Sequence, residues 1–261
     1  PGRVKMYFKF KGIISKTDSI DAKGLACIAV ELEHELWTPP SKEILELRSL
    51  VRCRSTLQKD LTKFKNRLHA LANSFEPNKE AMRVLKNQMK HTKRQIAKIE
   101  KSISVLIELE TDFTRKVKMI AGSIKGMSIL SVLQIVAECN GFDLITSQSQ
   151  LTSYAGYDVV ENQSGSRAGK TRISKRGNSH IRHALHFPSL NVVRYELDVF
   201  SNLYERVYEA TKIKMKGYVA VQRKLLCTVY ALWKKHEAFD PKYINKSKNK
   251  SEIRIEEIIA A

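Results

Sequence analysis

Two runs of apolar residues, stepped alternately by three and four, limit this chain more than anything else in it. Leu47, Leu50, Leu57, Leu61, Phe64, Leu68 and Leu71 form the first run, with Arg54 as its polar interruption. Met82, Leu85, Met89, Ile96, Ile99, Ile103 and Leu106 form the second, interrupted by Thr92. Steps of three and four keep side chains on one narrow stripe of an α-helix, the pattern of a coiled-coil seam. Between the runs, Ser74-Phe75-Glu76-Pro77-Asn78 reads as a turn, because Pro77 removes a helical donor and disfavours helix at Glu76. The expectation is a long antiparallel coiled-coil hairpin within 42–116, each helix roughly 40–45 Å long at 1.5 Å per residue. Two helices cannot cover both seams well alone, so a second copy is the natural completion and a homo-oligomer is expected.

The rest of the chain reads as mainly α. Met6-Tyr7-Phe8 is a candidate short strand, Lys16 to Glu33 a helix rich in Ala, Leu and Ile, and Pro39-Pro40 a break before the hairpin. Ile129 to Glu138 reads as a helix ended by Asn140-Gly141, and Leu151 to Tyr157 as a further short one. Gly156 to Gly177, with Gly165 and Gly169 between, reads as a loop, and helices follow at about 178–193, 195–215 and 217–236. Tyr195, Phe200, Tyr204, Tyr208 and Trp233 lie at mixed helical spacings that suit a core better than a stacking platform.

Charge narrows the function classes. The 261 residues hold 46 Lys+Arg against 27 Asp+Glu, a net charge of +19, and such an excess favours phosphate-rich partners. The 43% hydrophobic content is enough for a real core and excludes wholesale disorder. No apolar run reaches the ~18–20 residues of a membrane span, and the opening PGRVKMYFKF lacks the apolar block of a secretory signal. Cys27, Cys53, Cys139 and Cys227 lie far apart with no CxxC pair, which fits free thiols in a reducing, cytoplasmic setting. The sharpest local signal is 163–194, which contains no Asp or Glu and carries Arg167, Lys170, Arg172, Lys175, Arg176, Arg182 and Arg194. The basic excess in 42–116 reads as the solvated surface of the hairpin. Lys242, Lys246, Lys248 and Lys250 belong to a polar basic tail.

Four constellations could carry chemistry. Asp18 and Asp21 share a helix face at i, i+3 and can hold a hard cation such as Mg²⁺, although spacing alone favours helix capping by Thr17 or Asp18. The stretch from Gln163 to Asn178 combines small residues, which admit close backbone approach, with cations for phosphate and serines that could attack a phosphodiester. It is no Walker A loop, since Gly165 to Gly169 is one residue short, and a plain nucleic-acid-binding loop accounts for the same residues. Ser123-Ile124-Lys125-Gly126-Met127-Ser128 resembles half of a helix-hairpin-helix, or an ordinary turn. His180, His183 and His186 step by three without an acid or thiol nearby, in a setting that repels cations.

Taken in order, KTDSIDAKGLA, the helical hairpin, SIKGMS and LTSYAGYDVVENQSGSRAGKTRISKRGNSHIRHAL resemble the insertion-sequence 110 family of transposases, DEDD-type recombinases related to the Piv invertases. The resemblance covers nearly the whole chain. It implies the C-terminal remnant of an α/β RuvC-like (RNase H-like) domain over 1–41, the hairpin over 42–116, a helical serine-bearing transposase domain over 117–240 and a basic tail over 241–261. It also implies that Asp18 and Asp21 are the last two acids of a four-acid Mg²⁺ set and that Ser164, with Ser166 as the lesser alternative, is the nucleophile. Arg167, Lys170, Arg172, Lys175, Arg176 and Arg182 would then contact nucleic acid. The implied partners are DNA and, for some members, a guide (bridge) RNA.

The family's other two acids should precede Pro1, so this chain alone is expected to be inactive in strand transfer. Two readings from other classes compete: a non-catalytic DNA- or RNA-binding coiled-coil protein, and a coiled-coil scaffold with incidental charge. The acid-free segment argues against the scaffold.

Overall fold

A computed structural model describes residues 2–13, 15, 17–31, 39–109, 111–161, 163–164, 167–169 and 171–241. The chain divides into two compact units, Pro1–Pro40 and Ser41–Ala261.

In the first unit, α1 (Gly2–Phe10) packs on α2 (Asp18–Glu31). Val4, Tyr7 and Phe8 are its half-buried positions, a helical step, so Met6–Phe8 is helix and not the expected strand. The strand preference of Tyr and Phe reflects their fit to a pleated, half-buried surface. No neighbouring strand is present among the described residues of this unit, and burial against α2 decides instead. The α/β character that the family resemblance implies is likewise not visible among the described residues of this unit, whose elements are α1 and α2. Gly24 is what lets the two helices meet: a Cβ there would collide with the Phe8 ring. Lys11 closes the pair with an ion pair to Glu31 at 2.9 Å.

The second unit begins with α3 (Lys42–Ala72) and α4 (Lys79–Glu108), which pack side by side. Ser41 caps α3 by accepting from the Ile44 N–H at 3.3 Å, and Asn78 caps α4 by accepting from the Ala81 N–H at 3.0 Å. The polar interruptions of the two seams are accommodated. Arg54 reaches across to Glu100 at 2.7 Å, and the buried Thr92 hydroxyl donates to the Gln88 carbonyl at 2.8 Å. Leu47, Val51, Leu61, Ile96 and Ile103 are buried, whereas Phe64, Leu68, Leu71, Met82, Leu85 and Met89 stay half-exposed. The pair is therefore rooted at one end, where Leu47, Val51 and Ile103 join the main core.

That core is built by α5 (Asp112–Ser123), α6 (Ile129–Glu138), a 3-10 turn at Asn140–Phe142, α7 (Gln148–Ala155), α8 (Ser179–Arg194), α9 (Asp198–Thr211) and α10 (Lys214–Lys235). α6 contributes Val132, Leu133, Ile135, Val136 and Ala137, all buried, and α10 contributes Val221, Leu225, Leu226, Val229 and Trp233. Phe200 and Trp233 are core, as their spacing suggests. Tyr204 and Tyr208 are half-buried and stack on each other with centroids 6.0 Å apart. Tyr195 departs from the expectation: it is 47% exposed, with Lys125 Nζ 4.8 Å from its ring centroid. No helix among the described residues is long and apolar enough to cross a membrane.

Between α7 and α8 the chain leaves the helical body. β1 (Val159–Val160) pairs antiparallel with β4 (Arg172–Ile173), and inside that ladder β2 (Gln163–Ser164) pairs antiparallel with β3 (Arg167–Ala168). The loop expected over Gly156–Gly177 is thus a nested two-stranded arm. Two features explain it. Val159, Val160 and Ile173 favour extended backbone. The connection between Ser164 and Arg167 is two residues beginning with Gly, a length and composition that suit a tight hairpin.

Candidate nucleic-acid interface and catalytic residues

The arm carries the serine. Ser164 is exposed on β2 and stands opposite Arg167 in the register of the inner ladder. On the outer ladder Val159 faces Ile173 and Val160 faces Arg172. Arg172, Lys175 and Arg176 are exposed, and none of them forms an ion pair among the described residues. Ser166 and Lys170 lie outside the described residues. The root of the arm (Val159, Arg172, Ile173) and Arg223 and Lys224 of α10 line one groove of about 1420 Å³. Within the acid-free segment, Arg172, Lys175 and Arg176 thus stand exposed at the root of the arm, cations of the kind that bind a phosphate backbone.

Arg182 has a different task from the other cations. Its guanidinium donates to the Ala155 carbonyl at 2.7 Å, the Gly177 carbonyl at 3.3 Å and the Lys175 carbonyl at 3.4 Å. It holds the two ends of the arm together. Backbone bonds continue the closure: the Ser174 N–H donates to Asp158 at 2.8 Å, Lys175 to Gly156 at 3.1 Å and Asn178 to Tyr154 at 2.8 Å. Gly177 lies so close to this seam that an added Cβ would collide with the Tyr154 carbonyl oxygen, so the Arg176-Gly177-Asn178 step needs its glycine.

Sequence reasoning missed Glu138, the carboxylate at the end of α6. Its side chain is 2% exposed, and both its oxygens are used: Arg52 Nε donates to Oε1 at 2.7 Å, and Arg52 Nη2 and Asn178 Nδ2 donate to Oε2 at 2.6 and 2.7 Å. One turn before Arg52, Arg48 Nε donates to the Ala137 carbonyl at 2.7 Å. α3 thus places two cations on the negative end of α6. Burial alone would raise the Glu138 carboxyl, but the Arg52 guanidinium and the Asn178 amide outweigh it and hold the group below its ordinary value of 4.5. A carboxyl depressed on folding stabilises in full above its unfolded value, and that contribution disappears as pH falls through the folded value. Below about pH 4.5, the ordinary value of the group, the melting temperature of the wild type should therefore fall more steeply than that of Glu138→Gln. Calorimetry across pH 3–5 checks this, and parallel curves would refute it. A carboxylate in the last turn of a helix, where the dipole disfavours it, was the available sequence signal.

The turn at Ser123–Ser128 is fully employed in the fold. Gly126 has φ 98°, its carbonyl accepts from Asn191 Nδ2 at 3.2 Å, and Ser128 caps α6 by accepting from the Ser131 N–H at 3.2 Å.

In the first unit, the cap of α2 is taken by Thr17, whose hydroxyl accepts from the Ile20 N–H at 3.3 Å. Asp18, exposed, and Asp21, half-buried, stand in the first turn, where their charge suits the dipole. Their carboxylates form no ion pair among the described residues. Two carboxylates match the usual protein share of a Mg²⁺ shell, the remainder being water and phosphate oxygens. Among the described residues no third acid, His or Cys joins them.

Comparison with known proteins decides the family. The family model described as the IS116/IS110/IS902 transposase family matches residues 119–205, from the end of α5 through the arm to α9. A second model, for the DEDD transposases of the IS110 type, matches residues 3–77, including Asp18 and Asp21. The chain belongs to the IS110 family of transposases. It is also similar to the pilin gene-inverting proteins of Moraxella bovis and Moraxella lacunata, 26% identical to each over 241 residues, which is 92% of this chain and 73% of each relative. Membership makes DNA the partner and DNA processing the family's activity. All six cations that the sequence singles out for nucleic acid, and Ser164 with them, lie inside the first match.

Proposed function

We propose that this transposase cuts and rejoins DNA through Ser164, with Asp18 and Asp21 as Mg²⁺ ligands. The observation that carries the reading is an exposed serine on a two-stranded arm whose root carries the exposed Arg172, Lys175 and Arg176, none in an ion pair among the described residues, inside the segment matched by the transposase model. Ser164 Oγ attacks the scissile phosphorus, the bond from phosphorus to the leaving sugar oxygen breaks, and that oxygen takes up a proton. The serine proton passes to solvent or to a base. The resulting phosphoserine diester conserves the bond energy, so a second strand's hydroxyl can reverse the step and rejoin DNA without ATP. Arg167, Lys170, Arg172, Lys175 and Arg176 bind backbone phosphate and offset the charge that grows on the reacting group. Asp18 and Asp21 would hold Mg²⁺ together with water and phosphate oxygens, and the ion would supply positive charge to a bound phosphate group.

The domain division at 42, 117 and 241, a second copy covering the half-exposed seam of α3 and α4, a guide RNA in the basic surface and a cytoplasmic place of work complete the reading. The half-exposed Phe64, Leu68, Met82 and Met89 support the second copy. A non-catalytic nucleic-acid binder would keep the same cations without the chemistry. Replacing Ser164 with alanine separates the two: a nucleophile loses its covalent DNA adduct while affinity is retained.

A further inference from the structure

The root of the arm is where this protein buries a charge. Glu138 sits in the last turn of α6, where the helix dipole opposes it, and a buried carboxylate persists only when its oxygens are fully paired. Its partners come from two distant places. Arg52 belongs to α3, and Asn178 is the residue at which the arm becomes α8: Asn178 Oδ1 accepts from the His180 N–H at 2.9 Å, and its backbone N–H donates to Tyr154. Tyr154 closes the ring by donating its hydroxyl to the Glu138 carbonyl at 3.0 Å. One carboxylate therefore links the long helix α3 to the residue at which the arm ends. In a two-stranded ribbon a slip of one residue turns each side chain to the other face.

We propose that Glu138 and Arg52 are positioning residues: they fix the register of the arm and tie the presentation of Ser164 to α3. The part concerning Ser164 rests on the nucleophile reading above; the part concerning register does not. A purely global stabilising role would loosen the whole unit evenly, whereas positioning loosens the arm's root alone.

Residue-resolved amide hydrogen exchange on the full chain distinguishes these roles. In Glu138→Gln and Arg52→Gln, the amides of Ser174, Lys175 and Asn178 should exchange roughly tenfold faster or more, as expected when a charge-assisted bond is removed. Amides between Val221 and Val229 of α10 that exchange through local openings rather than global unfolding should be unchanged. Arg52→Lys should fall between, because an ammonium restores the charge but not the two-pronged geometry. Arg52 is the more exposed partner, so its variants carry the test if Glu138→Gln folds poorly. Unchanged protection at the arm's root, or equal acceleration of the locally exchanging amides of α10, would overturn the proposal. When covalent attachment of DNA bearing an activated terminal phosphate ester is followed, Arg52→Gln should slow attachment by about 10–100-fold, the cost of a small misplacement, with DNA affinity within about twofold. Full-rate attachment would overturn the link to Ser164. If Ser164→Ala leaves attachment intact, the nucleophile reading fails and the exchange result stands.

Discussion

Neutralising Arg172, Lys175 and Arg176 together to alanine is expected to reduce the salt dependence of DNA binding by about 2.7 in log–log slope, at roughly 0.9 for each phosphate that is no longer neutralised. Between 50 and 200 mM salt the wild type should therefore lose about 40-fold more affinity than the triple variant. All three side chains are exposed on the arm and its root, and none is paired with a carboxylate among the described residues. Changing Arg182 should act differently, since its donors already serve three carbonyls of the fold: the arm's root loosens first. Fluorescence anisotropy over a salt series measures both effects. A triple variant with the wild-type slope would show that DNA binds elsewhere.

The long helices were legible in sequence because a helix repeats its burial every three to four residues, and even the interruptions at Arg54 and Thr92 found local solutions. The helices from Ile129 onward were legible for the same reason. The arm was not read as strand, because its four strands are two residues each, too short for alternation to register. Its one clear signal, two residues between Ser164 and Arg167 starting with Gly165, was hidden among other glycines. Met6–Phe8 failed in the opposite direction: aromatic composition suggested a strand, and packing against Gly24 made it a helix. Glu138 showed in sequence only as a carboxylate at the unfavourable end of α6, without its partners. Its partners Arg52 and Asn178 lie 86 and 40 positions away, and only the fold brings them together. For the site, the sequence pointed to Ser164, the cations and the Asp18/Asp21 pair, but not to the network that holds the arm in place.

Ser164→Ala is expected to have the largest effect of any single change. The test is best made on DNA whose terminal phosphate carries a p-nitrophenyl ester. That leaving group departs without help from a metal, so the serine can be examined apart from the Mg²⁺ ligands. Ser164 Oγ forms a bond to phosphorus, the bond to the aryl oxygen breaks, and nitrophenolate is released as DNA becomes attached to the protein. Loss of a nucleophile costs at least about 10³-fold in comparable enzymes, so attachment by Ser164→Ala should fall by at least that factor. Ser166→Ala should retain attachment. DNA affinity should be unchanged in both, since an uncharged hydroxyl adds little to phosphate binding.

The most direct measurement is the position of the DNA-linked residue, mapped by mass spectrometry of the digested adduct. The expected result is a single phosphodiester on Ser164 that is absent from Ser164→Ala. A link at any other residue, or an adduct that survives the substitution, would contradict it.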